Sequence, residues 1–96
     1  MTRYALRTDA NQTQVISVLE AAGALVDVIG QPTDLLIGSP NGKFMLIEVK
    51  DGGKVKSAQK LTKKQKAFFL RWAGYPLAIV DSPEAALSLY LALAAE

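Results

Sequence analysis

Apolar and polar positions along this chain switch between two periods. From Thr8 or Asp9 to Ala22, the residues Val15, Ile16, Leu19 and Ala22 recur at i, i+1, i+4 and i+7. That spacing predicts a helix with one apolar stripe, capped by Asp9 and stopped by Gly23. The β-rich run Leu25 to Ile29 follows, ended by Gly30, Gln31 and Pro32. Residues 34–38 (DLLIG) and 43–50 (KFMLIEVK) predict two further strands joined by the turn SPNG, where Asn41-Gly42 favours a hairpin with positive φ angles. Residues 51–60 (DGGKVKSAQK) show little periodicity and predict a loop. A helix is expected from about Thr62 to Ala73, with Gly74 as its stop and Phe68, Phe69 and Trp72 turned to the core. Leu77 to Val80 predicts a short strand, and Ser82-Pro83 opens a last helix whose apolar face is Leu87, Tyr90, Leu91 and Ala94. The order α-β-β-β-α-β-α describes an α/β fold, a small mixed sheet flanked by helices. Residues 1–96 read as a single domain, with no repeat and no linker.

Composition narrows the chemistry. Half of the residues are hydrophobic, enough for a packed interior. The chain has no cysteine and no histidine, which excludes disulfides, thiolate nucleophiles, imidazole bases and His- or Cys-ligated metals. Hydrolysis by this chain would rest on carboxylates, lysine, hydroxyls or an oxygen-ligated metal. No apolar run reaches the length of a membrane span and no signal pattern follows Met1, so a soluble, cytoplasmic protein without a membrane partner is expected.

Charge is unevenly spread. Lys50, Lys54, Lys56, Lys60, Lys63, Lys64, Lys66 and Arg71 crowd a stretch whose only acid is Asp51. Such a stretch is either a solvated surface or a contact surface for a polyanion.

Side chains alternate across a strand, so Glu48 and Lys50 project together while Val49 points the other way. A hairpin brings Asp34, at the start of the second strand, opposite them. Charges at a strand end can form a surface ion pair and nothing more. Two carboxylates converging with an ammonium also make a site for Mg²⁺, which takes hard oxygen ligands and often only one or two protein carboxylates. Lysine would then orient the attacking water or stabilise phosphoryl charge.

With Asp34 ahead of a hairpin and Glu48-Val49-Lys50 closing a strand, the chain resembles the PD-(D/E)XK nuclease superfamily. It looks closest to the minimal phage and bacterial VRR-NUC-type nucleases. The stretches that carry the likeness are TDANQ, GALV, PTDLLIG, IEVKDG, LTKKQ and the late strand before SPEAAL, which together span nearly the whole chain. Pro32-Thr33-Asp34 departs from an adjacent Pro-Asp. The resemblance implies a restriction-endonuclease-like core and a Mg²⁺- or Mn²⁺-dependent DNA endonuclease of bacterial or phage-infected cells. It implies that Asp34, Glu48 and the Val49 backbone carbonyl hold the metal, that Lys50 serves the attacking water, and that Gln65 belongs to the catalytic set. A further acid on the first helix would assist the metal. Asp9 and Glu20 are the candidates, with Asp9 preferred.

Gln65 admits two readings. Thr62-Lys63-Lys64-Gln65 fits a capping box, while Gln65, Phe68, Phe69 and Trp72 at i, i+3, i+4 and i+7 place Gln65 on the inward helix face, where a polar group needs a partner such as the metal site. Lys54, Lys56, Lys60, Lys63 and Lys64 are the candidate phosphate contacts. The preferred function is a phosphodiester hydrolase acting on branched or duplex DNA, with resolution of four-way junctions by a homodimer as its sharper form. The alternative is a non-catalytic nucleic-acid-binding module of a replication or repair assembly.

Overall fold

A computed structural model of the chain describes residues 10–50 and 61–96. Among these, three helices and four strands follow the expected order: α1 (Ala10–Ala21), β1 (Leu25–Val28), β2 (Leu35–Gly38), β3 (Phe44–Val49), α2 (Lys63–Arg71), β4 (Leu77–Val80) and α3 (Pro83–Ala94). Local chemistry sets the boundaries. Gly23 and Gly74 take positive φ after α1 and α2, a backbone region open to glycine at no steric cost. Ser82 caps α3 by accepting from the Ala85 N–H, and Pro83 sits at the first helical position.

The strands lie in the order β1-β2-β3-β4. The pairs β1–β2 and β2–β3 are antiparallel, whereas β4 runs parallel to β3. The β2–β3 register pairs Leu35 with Ile47, so one step further Asp34 stands opposite Glu48. The turn departs from the hairpin expected of Asn41-Gly42, because only Gly42 has positive φ. The Gly42 N–H donates to the Ser39 carbonyl, closing a turn with Pro40 and Asn41 at its centre. Pro40 holds a negative φ, and the Asn41 amide is used elsewhere: it donates to the carbonyls of Leu93, Ala94 and Glu96 at the end of α3.

Register divides the sheet into two unlike faces. Val26, Val28, Leu35, Ile37, Ile47, Val49 and Val80 all point to one side and are buried. Val15 and Leu19 of α1 and Ala86, Tyr90 and Leu93 of α3 cover them. The last helix is apolar almost all round, so its periodicity marks no single face, and Ala86, Tyr90 and Leu93 are buried rather than the expected Leu87, Tyr90, Leu91 and Ala94 stripe. Leu91 is 54% exposed.

The other face carries Leu36, Phe44, Leu46, Glu48, Leu77 and Ile79. Helix α2 lies across it and buries none of its own residues. The expected core role of Phe68, Phe69 and Trp72 is therefore corrected. The two phenylalanines are half-buried and Trp72 is 40% exposed, because among the described residues α2 packs only lightly against the other elements.

Candidate active site

The C-terminal end of β3 gathers the predicted residues. Glu48 is buried, at 4% exposure, although a carboxylate is among the groups least often found inside without partners. Its Oε2 lies 3.1 Å from the Lys50 ammonium and accepts from Gln65 Nε2 at 2.6 Å. Strand alternation thus delivers Glu48 and Lys50 to one side, as the sequence implies. Asp34 is fastened to the same strand end: the Val49 N–H donates to its Oδ2 at 2.8 Å. The Val49 side chain is buried in the core on the opposite face, and its carbonyl follows Glu48 by one residue.

Gln65 forms the capping box and also turns inward to Glu48 and Lys50. Thr62 and Gln65 form a reciprocal capping box, with Gln65 N–H donating to Thr62 Oγ1 and Thr62 N–H to Gln65 Oε1. The same Oε1 accepts from Lys50 Nζ at 3.4 Å, while Nε2 reaches Glu48. One amide therefore starts α2 and joins that helix to the acid and the lysine.

Burial pushes the Asp34 carboxyl up to about 6, opposed by the Val49 N–H it accepts from and reinforced by the charge of nearby Glu48. Lys50 opposes that rise more weakly. The remaining Glu48 oxygen, Oε1, is buried and accepts no hydrogen bond among the described residues. Asp34 lies within hydrogen-bonding reach of Glu48 and could satisfy it only when protonated. Two facing carboxyls thus share one ammonium, that of Lys50, and one oxygen of Glu48 has no hydrogen-bond partner among the described residues. A hard divalent ion fits this donor set, with Asp34, Glu48 and the Val49 carbonyl as the available oxygens.

No third acid joins Asp34 and Glu48 among the described residues. Glu20 is exposed near the far end of α1, away from the site. Asp9 lies outside the described residues, as do Lys54, Lys56 and Lys60. Lys63 and Lys64 are exposed in the first turn of α2. A cleft of about 450 Å³ opens beside Gln65, bounded by Gln31, Pro32, Thr62, Lys64 and Phe68.

Asn11 belongs to this region, and sequence reasoning missed it. From the first turn of α1 its amide donates to the Lys50 carbonyl at 2.7 Å and to the Asp81 carbonyl at 3.3 Å. It clamps the ends of β3 and β4 beside the acids. The only hint in the sequence is a polar residue near the start of an amphipathic helix. No protein-family model matches the chain, and no curated protein or solved structure does either.

Proposed function

We propose that this protein is a divalent-metal-dependent endonuclease that hydrolyses phosphodiester bonds in DNA. One observation carries the reading: a buried Glu48 with an unpartnered oxygen faces Asp34 and is tied to Lys50 and Gln65. A stability-driven fold has little reason to bury an acid in that state, since an unsatisfied buried oxygen is destabilising.

Asp34, Glu48 and the Val49 carbonyl would hold Mg²⁺ or Mn²⁺. Such an ion supplies Lewis acidity toward a phosphate oxygen and lowers the pKa of bound water. Lys50, positioned by Glu48 and Gln65, offers its ammonium to the attacking water and to the charge that grows on the phosphoryl oxygens. Gln65 keeps Lys50 and Glu48 in register, and Asn11 fixes the backbone that bears them. The exposed Lys64 lines the cleft, and it and the exposed Lys63 suit phosphate contacts that carry no sequence information. A homodimer would bring two such sites to a four-way junction.

The test is incubation with supercoiled, single-stranded, branched and duplex DNA in Mg²⁺ or Mn²⁺. Cleavage by the wild type and its loss in Glu48→Ala and Lys50→Ala are expected. Equal cleavage by all three proteins refutes the proposal. Salt-sensitive DNA binding, indifferent to metal and to Glu48→Ala and without cleavage, would identify a non-catalytic binding module instead.

A further inference from the structure

Helix α2 and strand β3 connect the acids to a second feature on the same sheet face. At the far end of both elements lies a groove of about 340 Å³, walled by Phe44, Leu46, Trp72, Tyr75 and Leu77, with Lys43 at its rim. That volume falls in the range of small-ligand pockets. Three aromatic residues of the wall are exposed: Phe44 at 64%, Tyr75 at 62% and Trp72 at 40%. Two of the three are braced by other rings. Trp72 packs against Tyr75 edge to face at 5.0 Å between ring centres and against Phe68 at 5.9 Å. A braced aromatic cluster open to solvent presents apolar surface at small entropic loss when something docks there.

The approach to the groove is basic. Lys64 and Arg71, seven residues apart, are exposed on one flank of α2, while the exposed Lys63 and Lys66 lie off that flank. Lysines in a first turn oppose the helix macrodipole, so Lys63 and Lys64 add nothing to the stability of the helix end they occupy. A helix flank with two exposed cations, Lys64 and Arg71, leading to exposed aromatics suits a single nucleic-acid strand, with phosphates along the charge and bases on the rings. A second copy of this chain fits less well. Docking two such faces about a two-fold axis would set identical basic helices beside each other.

We infer that the groove is a stacking pocket for an unpaired nucleobase a few nucleotides from the scissile phosphate. Glu48 and Phe44 are four residues apart on β3, about 13 Å at strand rise. Gln65 and Trp72 are seven apart on α2, about 10 Å at helical rise. Either path corresponds to roughly three or four stacked base steps. The inference rests on the nuclease reading for its scissile phosphate, whereas the pocket's ligand can be tested without cleavage.

Trp72 is the chain's one tryptophan, so its fluorescence reports the groove directly. The protein is titrated at low salt in EDTA with a single-stranded oligothymidylate and with a blunt duplex of equal length. Saturable quenching of Trp72 by the single strand, and little by the duplex, is expected. Phe44→Ala and Tyr75→Ala should each weaken single-strand binding by about five- to 150-fold, the range of base–aromatic stacking losses. Tyr75→Phe should restore it, which separates stacking from misfolding. Unchanged affinity in folded Phe44→Ala and Tyr75→Ala overturns the inference. So does a self-associated protein that Phe44→Ala converts to monomer in sedimentation, since a second copy would then own the groove. Failure of the nuclease reading would show in metal-dependent cleavage, and failure of this one in metal-free binding.

Discussion

Ile47 and Glu48 are neighbours on one strand and inhabit different worlds. Ile47 is fully buried between α1, α3 and the sheet, among aliphatic partners. Glu48 is almost as buried, but its surroundings are an ammonium, an amide, a second carboxyl and one unsatisfied oxygen. The inner face holds the protein together by removing apolar surface from water. The outer face carries an ion pair, an amide and two facing carboxyls, beneath a helix with no buried residue. The core and the proposed active site are thus separated by a single peptide step, and mutations should separate them too.

The largest effect expected is on cleavage. Glu48→Gln removes a proposed ligand and should lower the cleavage rate on the order of 10³-fold, at a stability cost below that of Ile47→Ala, because Lys50 loses its partner while Asp34, no longer raised by the Glu48 charge, ionises beside it. Ile47→Ala should do the reverse, with a loss of about 2–5 kcal/mol from the cavity it creates and cleavage per folded molecule retained. Urea titration beside single-turnover cleavage measures both. If Glu48→Gln unfolded the protein as readily as Ile47→Ala, the two faces would not be separable.

Gln65 sharpens the contrast because it belongs to both worlds. Gln65→Glu can keep the capping box but puts a third carboxylate against Glu48 in place of a donor. Cleavage should fall about 10- to 100-fold, the usual effect of losing a residue that orients a metal's ligands, with α2 still formed. Circular dichroism checks the helix and cleavage assays the site.

The outer face should also have its own pH signature. Asp34 binds its proton more tightly when folded, with its pKa raised from 3.8 to about 6. Its contribution to stability is therefore fully present below about pH 4 and disappears as pH rises through 6. Thermal melts in EDTA from pH 4 to 7 should show this loss in the wild type and a flatter profile in Asp34→Asn. Mg²⁺ at pH 7 should raise the wild-type midpoint, since binding to the folded state alone stabilises it.

The smallest effect concerns Lys64. Lys64→Gln should raise helix stability by about 0.3–1 kcal/mol, through relief of the dipole conflict, yet weaken duplex binding and reduce its salt slope by about 0.9. Binding isotherms at several salt concentrations would show whether that lysine meets a phosphate.

Much of this contrast was legible before any coordinates. Alternation in KFMLIEVK placed Glu48 with Lys50, and the hairpin placed Asp34 opposite them, because strand geometry is local and rigid. Helical spacing likewise put Gln65 on the same side as Phe68 and Trp72. Periodicity tells which residues share a face, but not what lies over that face, so the aromatic residues of α2 read as core. Asn11 was invisible for another reason: its partners lie 39 and 70 residues away, and no local pattern encodes such a meeting.

The Asn11 clamp has a consequence for motion. The Lys50 N–H donates to the Val80 carbonyl at 2.8 Å, and the Lys50 carbonyl accepts from Asn11. Both backbone groups of the proposed catalytic lysine are thus engaged by distant segments, one a strand and the other the helix that seals the core. Hydrogen exchange at the Lys50 amide should accordingly wait for opening of the whole domain. Asn11→Ala should speed exchange there more than at Ile47. The ammonium can adjust to a substrate while the peptide that carries it keeps time with the core.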